Sequence, residues 1–308
     1  MAASAEITPH PDQQYVAAFA QHLLARGSPR TRAAYVRDAQ ELLNALGPQT
    51  RLAATTPHDI RRTVAKLHAK SLSGRTLARM LSAWRGWFAF LRETQPEHFK
   101  IDPCAGLRAP KSPKRLPSAL TPEEAAKFVQ IEGDTQANLR DRAMVELLYS
   151  SGLRISECIG LDLNRLDLKN AEARVIGKGN KERIVPVGSK AVAALNAWMA
   201  ARAGIAAEHE SAEPQAVFLT STGARVGVRS AQLRMKALSI TQGMQESVHP
   251  HRLRHSFASH VLQSSGDLRA VQEMMGHASI ASTQVYTHLD FQHLAKVYDA
   301  AHPRAKKK

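Results

Sequence analysis

Between residues 102 and 122 the hydrophobic rhythm of the chain stops. Five prolines fall there, beside the cationic side chains of Arg108, Lys111, Lys114 and Arg115. Proline fixes φ and removes a backbone donor, so so proline-rich a stretch does not continue a helix or a central strand. The break divides the 308 residues into two lengths, each long enough to bury a core of its own. The expected layout is a helical first domain over residues 1–108, a basic linker over 109–120 and a second domain over 121–308.

The first length reads as helices with polar joints. From Pro29, Tyr35, Leu42, Leu43 and Leu46 recur at helical spacing before Gly47-Pro48 ends the run. Pro57 opens a second helix through Ile60, Val64 and Leu67. After residues 71–74 a third carries Leu77, Met80, Leu81, Trp84, Trp87, Phe88 and Leu91, a stripe wide enough to be core. The reading is a small bundle, with Arg61, Arg62, Arg75, Arg79 and Arg85 available to phosphates.

In the second length, Thr121-Pro122-Glu123-Glu124 has the cap, first-turn proline and acidic first turn of a helix start. A further helix covers residues 138–149. Between residues 172 and 187 the period changes to that of strands, and Gly177-Lys178-Gly179-Asn180-Lys181 supplies the turn of a hairpin. A third short strand is expected over residues 217–220. The remainder reads as helical, so the fold class is mainly α with a small β-sheet.

The formal net charge of +15 favours a polyanionic partner, because Lys and Arg that neutralise phosphates release counterions. Residues 1–110 hold 15 Lys and Arg against 8 Asp and Glu, and the rest hold 27 against 19, so both lengths are basic. That distribution suits two domains gripping one duplex as a clamp. Cys104 and Cys158 form no CxxC pair and read as reduced structural thiols. No apolar run reaches the roughly 18 residues of a membrane span, and the opening residues lack a signal-peptide order. A cytoplasmic location is the expectation.

One ordered set of residues points to chemistry. Arg154 stands in Gly-Leu-Arg-Ile-Ser-Glu, Lys178 at the hairpin tip, and His251 and Arg254 three apart after Pro250. His277 follows Met275-Gly276, and Tyr286 follows nine residues later in a short polar segment. A phenol has a pKa of about 10, so Tyr286 needs neighbouring positive charge and a proton acceptor before it can attack phosphorus. The cationic groups offer that without a metal. His249, His251, His255, His260 and His277 are numerous enough to raise a metal cluster as the competing reading, but no HExxH or paired Cys/His spacing accompanies them.

Arg, Lys, HxxR, His and Tyr in this order resemble the tyrosine recombinase (phage integrase) family, from about residue 120 to the end. The first domain is similar to that family's helical, SAM-like core-binding domain. The stretch from Tyr286 to Ala295, with His302-Pro303-Arg304, narrows the likeness to members that resolve chromosome dimers. Met275 stands where the family usually has Leu, a volume-conserving exchange. The resemblance implies that Tyr286 is the nucleophile, leaving a 3′-phosphotyrosyl link and a free 5′-hydroxyl. Arg154 and Arg254 would hold the non-bridging oxygens, Lys178 would protonate the departing 5′-oxygen, His251 would assist proton transfer, and His277 would support the phosphate site.

Glu157 is a candidate to orient Arg154, with a plain surface carboxylate as the other reading. The chemistry so implied is that of a type IB topoisomerase, independent of metal, cofactor and ATP. The implied partners are double-stranded DNA, a second related recombinase in a heterotetramer and a DNA translocase as regulator. Phe291, Leu294, Val297, Tyr298 and Ala301 form a tail face that docks either on a neighbouring protomer or on its own domain. A phage or integron integrase and a paralogous recombinase share this chemistry. A DNA-binding protein of the same fold without catalysis, or a metal-dependent nuclease, are the readings from other classes.

Overall fold

The structure is a computed structural model that describes residues 10–26, 28–111, 119–177, 180–209, 213–276 and 288–305; the side chains of residues 288–293 and 295 are also outside the description. It divides into two compact units, residues 1–115 and 116–308.

The first unit holds α1 (Gln13–His22), α2 (Pro29–Leu46), α3 (Pro57–Ala69) and α4 (Gly74–Thr94). Their starts follow from capping chemistry. The Ser28 and Ser73 hydroxyls accept from the backbone N–H of Thr31 and Thr76, and Thr56 and Asp59 form a reciprocal capping box. The apolar stripe of α4 buries Leu77, Trp84, Trp87, Phe88 and Leu91 against Phe19, Leu42, Leu43 and Ile60. Both indoles satisfy their donors inside this core: Trp84 Nε1 donates to the Asp38 carbonyl at 2.7 Å and Trp87 Nε1 to that of Tyr15 at 3.1 Å.

Three of the five arginines expected to be free for phosphates have partners within the unit. Arg79 pairs with buried Asp38, Arg62 with Asp59 at 2.9 Å, and Arg85 donates to the carbonyls of Cys104 and Leu107. Arg61 and Arg75 are exposed.

The second unit is built from α5 (Pro122–Val129), α6 (Gln136–Ser151), α7 (Ile155–Ile159), β1 (Leu166–Asp167), β2 (Glu172–Ile176), β3 (Glu182–Pro186), α8 (Ser189–Glu208), α9 (Val228–Thr241), α10 (Pro250–Ser265), α11 (Leu268–Met275) and α12 (His288–Ala301). Helix α6 is buried over most of its length from Asp141 to Ser151 and packs against α8 and α10. The antiparallel sheet runs β1-β2-β3, with Val175 opposite Arg183 and Ala173 opposite Val185. Residues 217–220 do not supply its third strand. They make only an isolated bridge, Leu219 to Arg225, while the third strand is the two-residue β1. Buried Val217, Phe218 and Leu219 have strand composition, but their backbone pairs with loop segments: Val217 N–H donates to Leu161 O.

Cys104 and Cys158 are buried free thiols. Burial pushes the Cys104 thiol up to about 12 and the Cys158 thiol higher still, so neither forms a thiolate at neutral pH. No helix among the described residues is long and apolar enough to cross a membrane.

Candidate active site

Helix α6 ends at Gly152, whose φ of +57° turns the chain into the left-handed region. A Cβ there would lie 2.3 Å from the Phe257 ring, so glycine lets the α6–α7 turn lie directly on α10. Two residues on, Arg154 occupies the N-cap position of α7, and Glu157 in the first turn accepts its backbone N–H at 2.8 Å. The same carboxylate accepts the Arg154 guanidinium at 2.7 Å. Glu157 is therefore the orienting partner of Arg154 rather than a surface carboxylate.

The carboxylate serves more than one guanidinium. Arg183, on the inward face of β3, makes a bidentate pair with Glu157 at 2.9 Å to each oxygen, and Arg254 Nη1 lies 3.8 Å from Glu157 Oε2. Burial alone would raise the Glu157 carboxyl, but hydrogen bonds and charge from Arg183, with those of Arg154, outweigh it and hold the group at about 2. Burial, followed by the charge of Arg154, lowers Arg254 to about 10, so it stays ionised at neutral pH.

All three arginines also reach the C-terminal end of α11. Arg183 Nε donates to the Met274 carbonyl at 3.0 Å, Arg254 Nη2 to Met275 and Arg154 Nη2 to Gly276 at 3.4 Å. Arg254 Nη1 donates to the Gly152 carbonyl at 2.6 Å. Cations suit a helix C-terminus, where unpaired carbonyls concentrate negative charge. Gly276 has φ +62°, and a Cβ there would press on the Arg183 guanidinium at 3.1 Å. The Arg254 side chain is buried whereas that of Arg154 is 37% exposed, so Arg154 keeps a route to an anion in solvent.

His251 lies in the first turn of α10 and is exposed. His249 caps that helix: its Nδ1 accepts the Arg252 N–H at 3.1 Å, and its ring stacks parallel on His251 with centroids 6.4 Å apart. His260 is committed elsewhere, donating from Nε2 to Leu120 O at 2.8 Å and accepting the Tyr149 hydroxyl at Nδ1. Among the described residues no group of three or more His, Cys, Asp or Glu is placed to hold a metal ion.

Of the six candidate residues, Arg154 and Arg254 come together and His251 sits one turn before Arg254. Lys178, His277 and Tyr286 lie outside the described residues. Sequence reasoning missed Arg183. A signal was available in the alternation of β3, where Arg183 shares the inward phase of Val185, and a charge on the buried phase of a strand demands a partner.

The tail packs on its own unit. Leu294, Tyr298 and Ala301 of α12 are buried with Phe257, Val261, Val271 and Met274. His302 stacks on Tyr298 at 5.0 Å, and Arg304 pairs with buried Glu146.

Residues 118–293 match the phage integrase family, and residues 16–95 match its N-terminal SAM-like domain. The chain is 53% identical over 297 residues to tyrosine recombinase XerC 1 of Ralstonia nicotianae, covering 91% of this chain and 90% of that protein. It is 47% identical over 292 residues to XerC of Chromobacterium violaceum, covering 94% and 95%. In fold it is similar to XerH bound to a palindromic difH substrate, with a TM-score of 0.69 at 20% identity over 94% of this chain and 89% of that one. The Tn1549 transposon integrase in complex with transposon right-end DNA has a TM-score of 0.69 at 18% identity, covering 91% and 97%. With both of its halves matched and near half of its residues shared with curated relatives along almost their whole length, the chain belongs to the phage integrase family of tyrosine recombinases, enzymes that cut and rejoin DNA.

Proposed function

We propose that this recombinase acts as a XerC-type enzyme in the cytoplasm, joining a XerD-like recombinase in a heterotetramer on a dif-like site. There it resolves chromosome and plasmid dimers during cell division, under control of an FtsK-like translocase. The identity of about half to XerC proteins across nine-tenths of both chains supports this choice within the family. The domain division at residues 109–120 is part of the same reading.

The observation that carries the chemistry is the pair Arg154 and Arg254, ionised and held on one carboxylate at the Met275-Gly276 turn that leads to His277. Guanidinium forks match the non-bridging oxygens of a phosphodiester, and their fixed charge stabilises the pentavalent transition state. Tyr286 Oη attacks phosphorus while the bond to the 5′-oxygen breaks. The phenolic proton leaves with the help of His251, Lys178 supplies a proton to the departing oxygen, and His277 supports the phosphate. The 3′-phosphotyrosine keeps the energy of the broken diester. A 5′-hydroxyl from a partner strand reverses the step without ATP.

A nicked suicide duplex tests this reading in buffer containing EDTA. The wild type is expected to form a covalent complex, and Tyr286→Phe is expected to bind the duplex without capture. Capture by the Phe variant, or loss of wild-type capture in EDTA, would overturn it.

A further inference from the structure

Arg183 makes three side-chain hydrogen bonds beside the site, yet no role in the reaction above falls to it. It is almost fully buried on β3, five residues after Lys178 in the sequence and opposite Val175 of β2. Its guanidinium spends two donors on Glu157 and a third on the Met274 carbonyl, so one side chain ties the hairpin, α7 and the end of α11 together. Gly276 carries no Cβ at the point where one would meet this guanidinium.

We infer that Arg183 is a positioning residue of strand cleavage: by occupying both oxygens of Glu157 it leaves Arg154 and Arg254 with their charge for the scissile phosphate. The inference rests on the reading that these two arginines hold that phosphate. The cluster contains three guanidiniums and one carboxylate, a balance of two positive charges. A phosphodiester carries one negative charge and gains a second as the pentavalent transition state forms. Without Arg183 the same carboxylate would face only the two phosphate-binding guanidiniums. One of their charges would then be cancelled, and Arg154, which already donates to Glu157 at 2.7 Å, would be held by that carboxylate in place of the phosphate.

Arg183→Met keeps a similar side-chain volume and removes the charge; because breaking one side of a buried ion pair also destabilises the fold, its cleavage is read per folded molecule. Its cleavage of a suicide duplex in single turnover is expected to fall about a hundredfold, the scale of a misplaced catalytic group. The decisive comparison uses a second duplex with a methylphosphonate at the scissile position. Replacing a charged non-bridging oxygen by methyl lowers the charge the site must balance, so on that substrate the loss is expected to shrink to roughly tenfold or less.

Arg183→Lys keeps the charge but not the two-pronged geometry, and is expected to fall between the wild type and the Met variant, with the same relief on methylphosphonate. It carries the test if Arg183→Met does not fold. Equal losses on both substrates would assign Arg183 to packing and overturn the inference. So would cleavage at the wild-type rate by the variants, which would leave the reading of Arg154 and Arg254 standing. A wild type that cleaves neither duplex would overturn both.

Discussion

Replacing Glu157 by Gln keeps the shape of the side chain and removes the charge on which three guanidiniums converge. Folding lowers this carboxyl from an ordinary value of 4.5 to about 2. At about 1.4 kcal/mol per pKa unit, that difference makes the ionised form worth roughly 3 kcal/mol to the native state. Breaking one side of a buried ion pair independently costs about 3–5 kcal/mol, so the two routes agree near the lower figure. For a unit spanning residues 116–308, each kcal/mol moves the midpoint by about 2–4 °C, which gives roughly 6–12 °C.

Urea unfolding read by pulsed hydrogen exchange on peptides from residues 136–208 isolates this unit. Because folding depresses the carboxyl pKa, its contribution is complete above the ordinary value of 4.5 and is lost as the pH falls toward the folded one. The deficit of Glu157→Gln is therefore expected to be constant from pH 8 to pH 5 and to narrow below about pH 4.5. A variant within about 0.5 kcal/mol of the wild type at pH 7, the ordinary scatter of surface substitutions, would refute the argument. A deficit that does not change on acidification would refute it equally.

Three further outcomes are expected. Lys178→Ala should cleave an ordinary duplex slowly but recover on DNA with a 5′-bridging phosphorothiolate, whose leaving group needs no proton; equal slowness on both would remove Lys178 as the general acid. Gly152→Ala must adopt a left-handed φ and push its methyl into the buried Phe257 ring, so it should lose about 3 kcal/mol in urea unfolding and lose cleavage through the Gly152 carbonyl that Arg254 holds; a loss under 1 kcal/mol would contradict the packing argument. Burial, then the neighbouring charge of His260, hold His302 at about 3 instead of 6.5, so the docked tail should be most stable above pH 6.5 and loosen progressively as the pH falls. Hydrogen exchange across residues 294–305, corrected for intrinsic rates, should rise between pH 6.5 and 4.5 in the wild type and stay flat in His302→Phe.

Much of the fold was legible because its boundaries are written in local chemistry. Ser28-Pro29, Thr56-Pro57, Thr121-Pro122 and Pro250 each start a helix at the residue where a capping group or a missing donor favours it. The hairpin was legible from its turn residues and alternating strands. The third strand was not. Leu166-Asp167 is too short to carry a period, whereas Val217, Phe218 and Leu219 carry strand composition without a ladder. Arg154 and Arg254 were legible as candidates, but their common partner was only half so. Glu157 could be placed one turn from Arg154, while its pairing with Arg183 depends on β3 packing beside α7, a contact between segments 26 residues apart. The tail face at Leu294, Tyr298 and Ala301 was legible as apolar, but periodicity says nothing about which surface covers it, and here it packs on its own unit.

The central claim is that the phenol of Tyr286 takes the 3′-phosphate of a cut strand. Trypsin is expected to release residues 270–296 as one peptide, in which Tyr286 is the single tyrosine. After capture on a suicide duplex and nuclease trimming, mass spectrometry should find that peptide heavier by a nucleotide 3′-phosphate, with the adduct on Tyr286 and with EDTA present throughout. An adduct on another residue, or strand cleavage with no covalent adduct, would contradict the account.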